Sequence, residues 1–398
     1  MLSLPVELLC QIAENVDDDG LINMRVACKA LFDAASRPFG ITYFTARCHV
    51  QTHTSVEALL EIVTHPILGS FVNSISMIAA YPLGRPESSD HAVQTPSEPY
   101  VNSPSYKRLM KQVFIKIREH RNPVHISICG PEIQSAYGWD SLLERIPFEL
   151  RPCYPDTLEI TLVAAIRANC HVRSLELCMH HHDFERLHDA LEDLFSPTRP
   201  PLKLIIHCPR KRTRALHCPY TITYDQADQS LKLDGCDVYE LAKARQGSTI
   251  KRTLGFLLSQ TSQLILESCH LCSGRSFAAF LALGDTDFLF ENLTSVRMQN
   301  FRPCRSAGPV ARGHWYGILV LLSDLAGLKY FVMEGLRSSS DWDLFHLPRT
   351  TEKYEISGED VSEQLETLAA VVATEPVREV PQPAVNDIAV DASPSDTS

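Results

Sequence analysis

Apolar residues recur at four-residue spacing near the N-terminus, at Leu8, Ile12 and Val16 with Leu9 beside them, which places one apolar stripe on a helix. Leu4 and Pro5 open that helix, because proline in the first turn loses no hydrogen bond and already has the backbone angle a helix needs. Asp17, Asp18, Asp19 and Gly20 end it and offer an acidic N-cap to a second short helix, Leu21 to Ala27. A third, Lys29 to Ser36, is expected to stop before Pro38. Ser55 to Val63 is again helical, with His65 and Pro66 as its stop, and Phe71 to Ile78 reads as a strand. Tyr106 to His120 returns to helical spacing through Leu109, Val113 and Ile117.

Beyond this point a short motif of apolar, any, apolar recurs: Leu175 to Leu177, Leu204 to Ile206, Leu231 to Leu233, Leu264 to Leu266, Val296 to Met298 and Phe331 to Met333. The last residues, 177, 206, 233, 266, 298 and 333, are separated by steps of 29, 27, 33, 32 and 35, the range of a solenoid unit. Helical stretches lie between them, at Phe184 to Phe195, Phe277 to Leu283 and Trp315 to Leu325. One strand and one helix per unit cannot bury the strand's apolar face alone, so neighbours must stack, with parallel strands inside and helices outside. An ordinary α/β domain is the alternative arrangement of the same elements.

Two segments break this texture. Residues 81–105 hold Pro82, Pro86, Pro96, Pro99 and Pro104 among Ser, Glu and Asp, a composition expected to form a disordered surface loop. Residues 374–398 are similarly rich in Pro, Asp and Ser and are expected to be disordered. The chain then divides into a helical module at 1–44, a connecting helix and first strand at 45–80, the loop at 81–105, a repeat domain at 106–373 and the tail.

Composition narrows the function classes. A formal net charge of -11 argues against binding phosphate backbones, and the basic run Arg210, Lys211, Arg212 and Arg214 reads as a solvated loop. Thirteen cysteines, an odd number in a long chain, fit a reduced compartment, cytoplasmic or nuclear, better than a disulfide framework. Pro5 and Glu7 interrupt the place where the apolar part of a signal peptide would lie. The most apolar window, Trp315 to Leu322, is too short to span a bilayer.

The N-terminal residues carry a resemblance. Leu4-Pro5-Val6-Glu7-Leu8-Leu9, then Ile12, Leu21, Arg25, Cys28, Lys29 and Phe32, resemble the F-box over about 40 residues. Ala27 stands where that family usually has valine, and the Asp17 to Gly20 linker is more acidic than most. Two of the later units, Leu231, Leu233, Cys236, Val238 and Leu264, Leu266, Cys269, Leu271, are similar to the leucine-rich repeat, whose cysteine position turns inward after the strand. Phe301 and Leu336 occupy that position in two other units.

The resemblance implies an α/β protein made of a three-helix F-box and an irregular leucine-rich-repeat-like solenoid with a parallel sheet. It implies the substrate-recognition subunit of an SCF-type cullin-RING ubiquitin ligase, joined to a cullin through a Skp-type adaptor and bound to a target protein through the repeats. Leu4, Pro5, Leu8, Leu9, Ile12, Leu21 and Cys28 would face or support the adaptor. A non-catalytic repeat scaffold, or an F-box protein acting outside ubiquitination, is the alternative.

Strand geometry indicates where a target would bind. The middle residue of each apolar triplet points away from the core, which assigns Glu176, Lys203, Lys232, Ile265, Arg297 and Val332 to the open face. Glu176, Lys232, Ile265 and Arg297 are the candidate contacts. Other constellations carry less. Cys170, His171, Cys178, His180, His181 and His182 lack the regular ligand spacing of a zinc site, and Cys269 with Cys272 is a single Cys-x-x-Cys. No phosphate-binding glycine loop, His-Glu-x-x-His or Gly-x-Ser-x-Gly occurs, so neither a metal, a cofactor nor an enzymatic activity is expected.

Overall fold

The computed structural model describes residues 4–82, 100–130, 136–137, 150–152, 154–178, 187–196, 198–208, 220–238, 241, 249–271, 274–283, 292–300, 302–303, 309–335 and 353–374. The expected loop core at 83–99, the basic run at 210–214, His180 to His182 and the tail from 375 lie outside these residues.

Three helices come first: α1, Val6–Glu14, α2, Asp18–Ala27, and α3, Lys29–Phe44. The Asp17 carboxylate accepts the Gly20 N–H at 2.8 Å, and Asp18 and Asp19 occupy the first turn of α2. Helix α3 does not stop before Pro38 but carries it in its interior. Proline there forfeits one helical hydrogen bond, so side-chain packing must hold the helix together. The Arg25 guanidinium lies 4.2 Å from the Phe32 ring and 4.1 Å from the Phe39 ring, and Phe39 packs on Tyr43 at 4.8 Å. Downstream, Gly40 meets the Phe71 ring so closely that an added Cβ would come within 2.3 Å of it.

A single residue, Thr45, separates α3 from the sheet, whose strands run in the order β1, Ala46–Val50; β2, Ser74–Ile78; β4, Val124–Cys129; β6, Val172–Cys178; β7, Lys203–Cys208; β8, Tyr220–Asp225; β9, Ser230–Asp234; β10, Gln263–Glu267; β12, Ser295–Gln299; β14, Tyr330–Glu334; and β15, Lys353–Ser357. Between them lie two short pairs, β3, Ala80–Pro82, with β5, Leu150–Pro152, and β11, His270–Leu271, with β13, Arg302–Pro303. All six predicted segments lie in the one sheet. Neighbours are parallel except that β8 is antiparallel to both β7 and β9, and β15 is antiparallel to β14. Strand β8 lies in the 27-residue interval between Ile206 and Leu233, where one strand and one helix per unit predicted no further strand. The sheet begins before residue 106: residues 45–80, expected to hold a connecting helix and a first strand, carry two of its strands, β1 and β2.

Helices α4, His53–Thr64; α5, Pro104–Glu119; α6, Tyr154–Arg167; α7, Leu187–Leu194; α8, Thr249–Leu258; α9, Gly274–Leu281; α10, Pro309–Ser323; and α11, Val361–Thr374, bury their apolar residues in one core with one face of this sheet. The register lines up Ile75, Ile126, Leu175, Leu204, Tyr224, Leu231, Leu264, Val296, Phe331 and Ile356 as a single row across ten strands, all of them buried. Burying each such side chain contributes about 2 kcal/mol. The opposite face is half-exposed along most of its length.

Four consecutive parallel strands end alike. Gly235, Ser268, Asn300 and Gly335, each following the last residue of β9, β10, β12 and β14, have φ of 69°, 51°, 48° and 64°. The first three donate their N–H to the carbonyl of the next strand, Glu267, Gln299 and Glu334, at 2.8–2.9 Å. The next residue is Cys236 in one unit and Cys269 in another, both fully buried, and the Cys269 thiol donates to the Leu233 carbonyl at 3.2 Å. Both cysteines thus turn into the core, the orientation that the resemblance implies for that position.

Candidate functional site

Two surfaces stand out as candidates, and the first is apolar. Eight of the eleven exposed large hydrophobic residues among the described ones fall between Leu4 and Ile41, a concentration that single scattered surface leucines do not produce. Helix α1 shows why. Its stripe splits: Leu9 and Ala13 turn inward, while Leu8 and Ile12, each 44% exposed, face solvent together with Leu4 at 42%. The inward side is small, a cluster of Ala13, Leu21 and Ala35 with Met24 against it. Pro5 and Cys28 are exposed. Of the seven predicted adaptor residues, Leu4, Pro5, Leu8, Ile12 and Cys28 thus lie at the surface. Leu9 and Leu21 do not, being 4% and 3% exposed, and they hold the helices together. Sequence reading missed Val6, Ile22, Val26 and Ile41 as surface residues, although Val26, 79% exposed, stands four positions after Ile22 on one side of α2.

The second surface is the open face of the sheet. Its central row, fixed by register, runs Cys48, Ser76, Ser127, Glu176, Ile205, Thr223, Lys232, Ile265, Arg297, Val332 and Glu355. Glu176, Lys232, Ile265 and Arg297 are where strand alternation placed them. Lys203 is not in this row; Ile205 is the middle residue of Leu204 to Ile206, and Lys203 lies level with Ser174 one row toward the strand N-terminus. Val332 is in the row but fully buried, flanked by the long side chains of Arg297 and Glu355.

Glu176 is the centre of a hydrogen-bonded chain over four strands. His125 Nε2 lies 3.2 Å from one of its carboxylate oxygens and His207 Nε2 3.0 Å from the other. A carboxylate only accepts, so Nε2 carries the proton in each ring, and in the neutral rings Nδ1 accepts from a hydroxyl. Ser174 Oγ is 2.7 Å from His125 Nδ1 and Thr221 Oγ1 is 3.2 Å from His207 Nδ1. Sequence reading did not single out these histidines, because neither belongs to an apolar triplet. Further along, Lys232 pairs with Glu267, Gln299 donates to Glu334 at 2.8 Å, and Lys353 pairs with Glu355. Such half-exposed pairs contribute little stability and fix side-chain positions instead.

Over the first strands this face is partly covered. The Tyr137 N–H donates to Cys48 O at 2.8 Å and the Val50 N–H to Tyr137 O at 3.2 Å, so Tyr137 occupies the outer edge of β1 while Ala136 packs on Val50 and Ile78. Burial pushes the Cys170 thiol up to about 11 and, against the opposing hydrogen bond with Tyr220, the Cys208 thiol up to about 12, which holds both protonated. Among the described residues no group of three His, Cys, Asp or Glu side chains could hold a metal ion, and no helix is long and apolar enough to cross a membrane. No protein-family model matches the chain, and no curated protein matches it.

Proposed function

We propose that the chain is the substrate-recognition subunit of an SCF-type cullin-RING ubiquitin ligase, with α1 to α3 serving as an F-box and the sheet with its helices as a leucine-rich-repeat-like receptor. The observation that carries this reading is the apolar surface of Leu4, Leu8 and Ile12 on a module whose own core holds only a few small contacts. Exposed leucine and isoleucine at that density cost solubility unless a partner covers them. A Skp-type adaptor, joined to a cullin, would be that partner.

The receptor half of the reading is supported by the recurring left-handed closure after four strands, by the two buried cysteines that follow it, and by a parallel sheet whose second face is left half-exposed. Parallel sheets are normally covered on both faces, and stacked repeats are the arrangement that leaves one free for a partner. On that face Glu176, Lys232, Ile265 and Arg297 would meet the target. The chain would contribute no bond-making step; it would hold a target lysine near a charged ubiquitin carrier, and proximity would supply the acceleration. Cytoplasm or nucleus would be its place of work.

Co-expression with a Skp-type adaptor tests the hook. The double variant Leu8→Asp, Ile12→Asp should lose adaptor pull-down while circular dichroism of the full chain stays unchanged, since both residues face solvent. Undiminished pull-down would sink the reading. Proximity labelling in cells with Lys232, Ile265 and Arg297 all changed to Ala tests the receptor face: the partner set should shrink while the adaptor stays bound.

A further inference from the structure

The helix layer carries a feature that the adaptor and target surfaces leave unused. Helix α5 bears Lys107, Arg108, Lys111, Lys116 and Arg118 against a single acid, Glu119, in a chain of net charge -11. Lys116 is matched by Glu119 at 2.8 Å, and Arg118 donates to the Ala168 carbonyl at 2.9 Å. Lys107, Arg108 and Lys111 are exposed and make no ion pair among the described residues. Beside them lies a groove of about 190 Å³ between α5 and α6. Its floor is Ile160, Val163 and Ala164, its rim Lys107, Lys111 and Arg167, and Glu159 is the one carboxylate that lines it, against three cations.

We infer that this groove docks an acidic amphipathic helix from a partner protein. The volume suits one or two apolar side chains inserted between the helices, which is how a helix laid in a groove anchors itself. Carboxylates one turn to either side of the anchor would then meet Lys107, Lys111 and Arg167, cations that a mostly acidic protein concentrates here. Opposite charge selects the partner and orients it, and the apolar floor supplies the part of the affinity that salt does not screen. The site lies on the helices, away from the half-exposed sheet face and from Leu8 and Ile12, so it stands or falls independently of the ligase reading.

Fluorescence anisotropy on the full chain tests this with a labelled helical peptide of alanine, glutamate and leucine, its leucines one turn apart. The same peptide with lysine for glutamate, and a labelled single-stranded oligonucleotide, are the controls. The acidic peptide should bind, and the triple variant Lys107→Glu, Lys111→Glu, Arg167→Glu should weaken it by roughly tenfold or more. Val163→Asp should do the same without altering the rim. Affinity that survives both changes, or an oligonucleotide bound in preference to the peptide, overturns the proposal. Circular dichroism of each variant separates loss of the groove from loss of the fold.

Discussion

The regular run of strands in the later half of the sheet and the β1 edge are built differently. In β9, β10, β12 and β14 the core rows are wholly apolar, and each strand is ended by one left-handed residue, three of which bond to the next strand. In β1 the same two core positions carry Arg47 and His49, level with Ile75 and Met77 of β2. His49 is fully buried, with Nδ1 3.0 Å from Ser55 Oγ, and Arg47 donates to the Tyr43 carbonyl at 2.8 Å, tying the end of α3 to the edge strand. A stack of equal units can extend itself; an end cannot, because its last strand has no successor to cover it. At β1 polar side chains, the edge pairing of Tyr137 and the preceding helices replace the missing neighbour.

The largest expected effect separates the two regions by core chemistry. Leu266→Ala, inside the regular half, should cost about 4 kcal/mol in denaturant unfolding because the surrounding strands and helices cannot collapse into the space. A cost no larger than an exposed substitution would mean the half is loosely packed. Acid should act at the β1 edge. Burial, reinforced by Arg47, pulls the His49 pKa down to about 4 from its usual 6.5, so the folded chain binds fewer protons than the unfolded one between those values. Stability from this group is intact above pH 6.5 and is lost as pH falls toward 4, about 3 kcal/mol in all. In His49→Gln that part of the acid sensitivity should disappear; a variant with the same pH profile as the wild type would show that another group controls it.

Smaller effects probe the closures themselves. Gly335 has φ of 64°, and a Cβ there would lie 2.7 Å from Asn300 Oδ1, so Gly335→Val should destabilise by about 2 kcal/mol through left-handed strain and crowding. Ser268 already bears a side chain at φ of 51°. Ser268→Gly should therefore raise stability slightly, by about 0.5 kcal/mol, the relief of strain exceeding glycine's added chain entropy. Opposite signs at these two equivalent positions are the expectation, and like signs would break the equivalence.

What could be read from the chain follows the same division. The six triplets were legible because each carries two apolar residues that alternate with an outward one, and they do lie in one sheet in one direction. Strand β1 gave no such signal, since Arg47 and His49 fill its inward positions. Strand β4 has the alternation, in Val124, Ile126 and Ile128, but the step from Ile128 to Leu177 is 49 residues, outside a period of 27 to 35. Ser268 and Asn300 hide two of the four closures because neither is glycine. At the candidate surfaces, helical spacing found the outward Leu8 and Ile12 but could not tell them from the inward Leu9. Nor could alternation foresee Val332 buried between Arg297 and Glu355, because the edge strand that brings Glu355 beside it is distant in sequence.

The close contact of Gly40 with Phe71 has a mechanical consequence. At Gly40 helix α3 is pressed against the body of the protein, and only Thr45 separates it from β1; the Thr45 carbonyl accepts both the Asn73 and Ser74 N–H groups at 3.1 and 3.0 Å. Torque applied to the N-terminal helices therefore passes into the sheet as into a welded lever, and whatever grips one end aims the other.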